Sequence, residues 1–325
     1  MLSALFRIKV CAAFLTAFAL PAVAQDFPIK PIKILVGYAT GGPTDVITRI
    51  LAQEMSVTLG QSVLVENRTG ASGNIATEAV AKATADGYTL VASTLAHNIN
   101  PLLLPNTTKY DPIREFAPVS LAVVLPQLVV VSYDSPFNSI TDIIKQAKTS
   151  PGSVTYGSAG VTGSSHLASA FLAYQGGVQL TPVPFRGNAP ALTEVMAGRV
   201  SFMFYPMIGV NGFVQDKRLR VLAVTTTKRN PDFPNVATTA EQGFTGFDEY
   251  VGGVGLLATA GTPVAVVQKL SAAARAALKK SAVRDQLGGM GAIIVGSTPE
   301  EFTLWMKADA DRWAQLIKIA NIKGE

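Results

Sequence analysis

Ile32-Lys33-Ile34-Leu35-Val36-Gly37-Tyr38-Ala39-Thr40-Gly41-Gly42-Pro43-Thr44-Asp45 decides the fold. The aliphatic run reads as a buried strand, the glycines as a turn, and Pro43-Thr44-Asp45 as the opening of a helix. Val46, Ile47, Ile50, Leu51 and Met55 then recur near helical spacing until Gly60. A strand over 63–65, a helix over 75–83 and a strand over 88–92 follow. The order βαβαβ with short connections predicts a parallel sheet covered by helices on both faces. The same strand–glycine–helix event recurs at Val154-Thr155-Tyr156-Gly157-Ser158-Ala159-Gly160-Val161-Thr162-Gly163-Ser164-Ser165-His166. A helix start carries unpaired N–H groups and a partial positive charge, so it can hold an anion without a lysine. Two such starts imply a small anion gripped from both sides.

Outward from these stretches, a second α/β unit begins after Pro126, with strands over 128–131, 154–156, 182–185, 200–204 and 219–224. Helices are predicted over 140–148, 167–174 and 192–197, the first opened by a capping box at Ser139-Ile140-Thr141-Asp142. Beyond Pro231 and Pro234 the chain returns to strand over 254–257. A helix over 264–278 follows, with Thr262 as its N-cap and Pro263 as its first residue. Another capping box, Thr298-Pro299-Glu300-Glu301, opens a last helix whose face is Phe302, Trp305, Met306, Trp313, Leu316 and Ile317. The simplest arrangement docks that face on the first domain, so the chain crosses between domains near Pro126 and over 246–253.

The ends and the composition narrow the class. Arg7 and Lys9, an apolar run over 10–20 and Ala22-Val23-Ala24 form a cleavable export signal, too short to span a bilayer. Cleavage after Ala24 leaves 301 residues, a net charge of +3 and no cysteine. His97 and His166 are the only imidazoles, so Cys/His metal chemistry is excluded and no cofactor is called for. Export without disulfides points to a bacterial periplasm. Basic residues are scattered rather than striped with aromatics, which argues against nucleic acid.

Several stretches carry a resemblance. They include Phe27-Pro28-Ile29-Lys30-Pro31-Ile32, Gly41-Gly42-Pro43-Thr44-Asp45, Val65-Glu66-Asn67-Arg68-Thr69-Gly70, Asp86-Gly87-Tyr88-Thr89-Leu90, Tyr156-Gly157-Ser158-Ala159-Gly160, Val183-Pro184-Phe185-Arg186-Gly187 and Ala260-Gly261-Thr262-Pro263. In order and over the whole mature chain, they resemble the tripartite tricarboxylate transporter receptors, also called the Bug family. The resemblance implies a two-domain Venus-flytrap fold, α/β, each domain a mostly parallel sheet flanked by helices. Residues 25–125 with 247–325 would form one domain and 126–246 the other. It also implies a monomeric periplasmic receptor that delivers a small carboxylate to a large and a small membrane subunit. Two departures bear on the ligand. Tyr205 stands in Met203-Phe204-Tyr205 where the family often has aspartate, which would answer an ammonium. Gly253 replaces a usual tryptophan, which predicts a wider cleft. Both point to an aromatic or otherwise amine-free acid.

The candidate ligand contacts follow. Tyr38, Ala39, Thr40, Gly41, Gly42 and Thr44 make the first loop, with Asp45 as a cap. Ser158, Ala159, Gly160, Thr162, Ser164 and His166 make the second, where hydroxyls and amides replace a buried lysine. Ser93, Thr94, His97 and Asn98 follow a strand at its carboxyl end, where α/β sheets place ligands. Arg186 and Gly187 offer a guanidinium for a distal carboxylate, and Tyr38 and Tyr205 can sandwich a ring. The rival class is a periplasmic serine hydrolase using Ser158 or Ser164 with a histidine. It lacks a G-x-S-x-G elbow, since Tyr156 stands where Ser158 needs a glycine. A nucleotide-binding enzyme fares worse, for Gly157-x-x-Gly160-x-x-Gly163 has neither P-loop nor dinucleotide spacing.

Overall fold

A computed structural model describes residues 27–324; the export signal and Cys11 lie outside the described residues. The chain opens with β1 (Ile32–Val36), α1 (Pro43–Leu59), β2 (Val63–Asn67), α2 (Asn74–Ala81), β3 (Thr89–Ser93), α3 (Leu95–Leu103) and β4 (Phe116–Leu125). Next come β5 (Gln127–Ser132), α4 (Ile140–Thr149), β6 (Thr155–Ser158), α5 (Ser164–Gly176), β7 (Thr181–Pro184), α6 (Asn188–Met196), β8 (Met203–Pro206), α7 (Asn211–Gln215) and β9 (Leu219–Val224). It ends with β10 (Gly252–Thr259), α8 (Val264–Lys279), α9 (Ser281–Gly289), β11 (Ile293–Ile294) and α10 (Pro299–Ile319).

Two sheets result. The first has the order β11-β4-β10-β3-β1-β2, and β1, β2, β3 and β4 all run the same way. Both faces of β1 are buried, with Ile32, Ile34 and Val36 packed on one side and Leu35 on the other. In the second sheet, β8, β5 and β9 are joined to β6 and β7 through a parallel bridge between Tyr156 and Phe202. Only β5 runs against the others. Helices cover both faces of each sheet, giving a two-domain α/β architecture. The parallel strands other than β4 are among those read from the sequence. Of the reversed strands, β5 and β10 enter their sheets from the opposite domain, and β11 follows α9 within its own.

The crossings between domains lie side by side. β4 ends at Leu125 and β5 starts at Gln127, while the returning β10 pairs Gly252 with Leu125 and Gly253 with Val124. The Pro126 carbonyl accepts from Met207 N at 2.7 Å, and Gln127 N donates to Thr225 Oγ1 at 2.8 Å.

Local rules explain most helix ends. α1 has Pro43 in its first turn and Gly60 in the left-handed conformation at its end. Ser139 caps α4 through Asp142 N, but the Asp142 carboxylate reaches Asn138 N, one residue before the expected partner. The capping box of α10 is complete. At α8 the cap is Pro263; the Thr262 hydroxyl turns back to the Thr259 carbonyl.

The expected docking of α10 holds for its first half. Phe302, Trp305 and Met306 pack on the first sheet with Leu35, Val91 and Leu257. Trp313 and Leu316 instead join a cluster containing Val129, Phe202 and Phe204 of the second sheet. A 21-residue helix rises about 32 Å, enough to pass from one domain to the other. Among the described residues, no helix is long and apolar enough to cross a membrane.

Candidate functional site

Four helices begin at one cleft between the domains. The start of α1 contributes Gly42, Pro43 and Thr44, and that of α3 contributes Thr94, Leu95 and Ala96. From the facing domain come Gly163 and Ser164 at the start of α5, and Asn188 at the start of α6. The amides of Thr44, Leu95, Ala96, Ser164 and Asn188 fall in first turns, where no intrahelical acceptor exists. Each helix adds roughly half a positive charge at this end. Tyr38 closes one side, and Leu125, Pro206 and Val254 make an apolar floor. Among the described residues, no Lys, Arg, Asp or Glu side chain lines the cleft.

The first loop is divided by its hydrogen bonds. Gly41 N donates to Asp45 Oδ2 at 2.9 Å, and Asp45 also accepts from Arg49 Nε and Asn67 Nδ2, both at 2.9 Å. Burial opposes the Asp45 charge, but bonds from Arg49, Gly41 and Asn67 outweigh it and hold its carboxyl below the usual range. Asp45 is therefore a cap, satisfied away from the cleft. Thr40 is exposed and bonds Asn67 Oδ1 at 3.0 Å. Gly41 is exposed at φ +80°, a conformation that favours glycine. Gly42 stands at the cleft, where a Cβ would lie 3.8 Å from Ala189 N of the other domain. Tyr38 and Thr94 join their hydroxyls at 3.0 Å.

The other candidates separate into three groups. Ala159 and Ser164 line the cleft with Tyr38, Gly42, Thr44 and Thr94. Ala39, Gly160, Thr162, Arg186 and Gly187 sit where the domains touch. Ala39 N donates to the Arg186 carbonyl at 3.1 Å, and a Cβ on Gly187 would lie 3.0 Å from that amide. Thr162 Oγ1 donates to Asn100 Oδ1. The Arg186 side chain is exposed and does not reach the cleft, a correction to its assignment to a distal carboxylate.

The remaining six are interior. Ser93 and Ser158 are buried outside the cleft. His97 Nε2 donates to the Pro112 carbonyl, 2.7 Å away, and the ring packs on Tyr110 and Phe116. Asn98 Nδ2 donates to the Met306 carbonyl at 3.2 Å. The His166 ring meets Tyr156 OH at 3.3 Å on the outer side of α5. Burial pushes both histidines down to about 4. Tyr205 is core, opposite Leu128, because strand alternation turns it away while its neighbour Pro206 reaches the cleft. It supplies no aromatic wall. Gly253 does not widen the cleft either: a Cβ there would stand 2.8 Å from both Leu121 Cδ1 and Trp305 Cη2, so the indole of Trp305 fills that side. Reading the sequence missed Asn188, Leu95, Ala96, Pro206 and Gly252. Asn188 carried a signal, since it follows Gly187 at a helix start.

Family membership agrees with this geometry. The model of the TctC family, described as tripartite tricarboxylate transporter family receptor, matches residues 47–322. The chain belongs to this family. It is 38% identical over 292 residues to a UPF0065 protein in the tcbD-tcbE intergenic region of Pseudomonas sp. (strain P51), covering 90% of this chain and 86% of that one. The structure of the periplasmic binding protein BugD superimposes with a TM-score of 0.87 at 32% identity, covering 92% of this chain and all of that one. MatC from Rhodopseudomonas palustris, solved with bound malate, gives 0.85 at 30% identity over 90% of this chain and all of its own. The receptor is thus a periplasmic solute-binding protein rather than an enzyme. Among the described residues, neither histidine ring bonds a serine hydroxyl. No cluster of three or more His, Cys, Asp or Glu among those residues could hold a metal.

Proposed function

We propose that the receptor captures a small, amine-free carboxylate between its two domains, residues 25–125 with 247–325 and residues 126–246. It hands the acid, as a monomer, to the large and small membrane subunits of a tripartite transporter. An export signal cleaved after Ala24 takes the receptor to the periplasm. The observation that carries the reading is the convergence of four helix starts on a cleft without charged side chains. Amides and hydroxyls stabilise an anion there without the desolvation cost of a buried cation. An ammonium group would enter the positive ends of four helices with no carboxylate to answer it, which favours acids lacking an amine. The malate bound to MatC is an acid of this kind. The aromatic alternative has lost the ring of Tyr205 as support.

Calorimetry tests the reading with malate, adipate, benzoate, aspartate and the diamide of malate. The expected result is heat of binding from one or more amine-free acids, with aspartate weaker and the diamide silent. Folded receptor that ignores every acid, or that binds the diamide as well as the acid, refutes it.

A further inference from the structure

Thr162 and Asn100 share a hydrogen bond between the domains, and neither lines the cleft. Their positions give that bond a task. Asn100 lies on α3, five residues beyond Leu95, which lines the cleft; Thr162 lies two residues before Ser164, which begins α5 on the other side. Both side chains are fully enclosed when the domains meet, at 1% and 0% exposure. Asn100 is held in place from its own domain, donating through Nδ2 to Asn74 Oδ1 at 2.6 Å and to the Ser72 carbonyl at 3.3 Å. The same carbonyl accepts from Tyr38 OH at 3.4 Å, and Tyr38 lines the cleft. Beside the bond, Ala71 and Ser72 adopt positive φ, 45° and 52°, and press Ser72 onto Gly160 of the other domain. A Cβ on Gly160 would stand 2.3 Å from Ser72 Oγ.

Resting on the receptor reading above, we propose that Asn100 and Thr162 form a clasp that sets how long the closed receptor keeps its acid. Parting the domains gives both side chains to water. Closing removes that water, and the Thr162 hydroxyl and Asn100 Oδ1 then depend on each other for a hydrogen bond. The clasp therefore stabilises the closed state alone, and it does so for any acid that bridges α3 and α5. Both are positioning residues: they act through the approach of two helix starts and touch no ligand.

The test compares the wild type with Thr162→Val, which keeps the shape and loses the hydroxyl, and Thr162→Ser, which keeps the hydroxyl. Malate is the first probe, then adipate and benzoate. Stopped-flow displacement and small-angle scattering are read together. Thr162→Val should raise the dissociation rate and Kd about tenfold for every acid that binds. Its association rate should stay within about twofold, because encounter occurs with the open state. The acid-loaded variant should scatter as a more expanded particle, and serine should restore wild-type behaviour. Unchanged dissociation in Thr162→Val overturns the proposal. A loss that serine does not restore, accompanied by a lower melting temperature of the free protein, also overturns it by marking a packing role. If no acid binds the wild type, the receptor reading fails by itself, and scattering of the free proteins decides the clasp. A wild type more compact than Thr162→Val upholds it; identical profiles overturn it.

Discussion

Ser164 lines the cleft at the start of α5, while Arg186, the guanidinium nearest in sequence, stays outside it. The contrast predicts opposite outcomes for two alanine substitutions. Ser164→Ala should cost about 1 kcal/mol of binding, roughly fivefold in Kd, with the unfolding midpoint unchanged. Arg186→Ala should leave monoacids and diacids alike within about 0.5 kcal/mol of wild type by calorimetry. A selective loss of diacids in Arg186→Ala would return that side chain to the site. Glycine turns were legible as helix starts because backbone conformation and capping are local. The facing of a side chain is not. Thr94, Leu95 and Ala96 meet the cleft, whereas His97 and Asn98, next in the same helix, turn to Pro112 and α10. No polarity pattern in the sequence separates the two groups.

Two elements, β4 and α3, escaped sequence reading through proline. Pro118 interrupts the run that becomes β4, and proline argues against a central strand. The sheet accommodates it at an irregularity, where the β10 register shifts between Leu256, opposite Ser120, and Leu257, opposite Pro118. Pro101 similarly breaks the pattern of α3 by removing the amide that would bond the His97 carbonyl. Tyr110 OH donates to that carbonyl instead, at 3.1 Å. The packing of α10 on β10 was hidden for another reason: it depends on two glycines and two aromatic rings far apart in the chain. A Cβ on Gly255 would lie 2.3 Å from Phe302 Cζ, and one on Gly253 would meet Trp305. Gly253→Ala should therefore destabilise the fold by about 1–3 kcal/mol in urea denaturation. Its cost should shrink when Trp305 is already alanine. Equal costs in the two backgrounds would show that the indole does not set the limit.

At the scale of the whole molecule, stability should depend on pH through three buried groups of opposing sign. His97 and His166 are lowered by burial from 6.5 to about 4. Between those values the unfolded chain binds two protons that the folded chain refuses, so acidification costs stability, roughly 3 kcal/mol per histidine over the full window. Asp309 works the other way. Burial raises it from 3.8 to about 6, although Arg312, Asn98 and Trp313 all favour its charged form. The folded chain takes that proton near pH 6 while the unfolded chain waits until near 4, so falling pH returns roughly 3 kcal/mol across that interval. Two histidines outweigh one aspartate, and the free energy of urea unfolding should fall between pH 6.5 and 4.5. Asp309→Asn should steepen that fall by removing the compensating group, and His166→Phe should flatten it. A stability that rises on acidification would mean that at least one imidazole is charged in the folded receptor. Asp309 also joins α3, through Asn98, to the helix that spans both domains. Any pH dependence of acid binding that Asp309→Asn abolishes would then reach the cleft through α3.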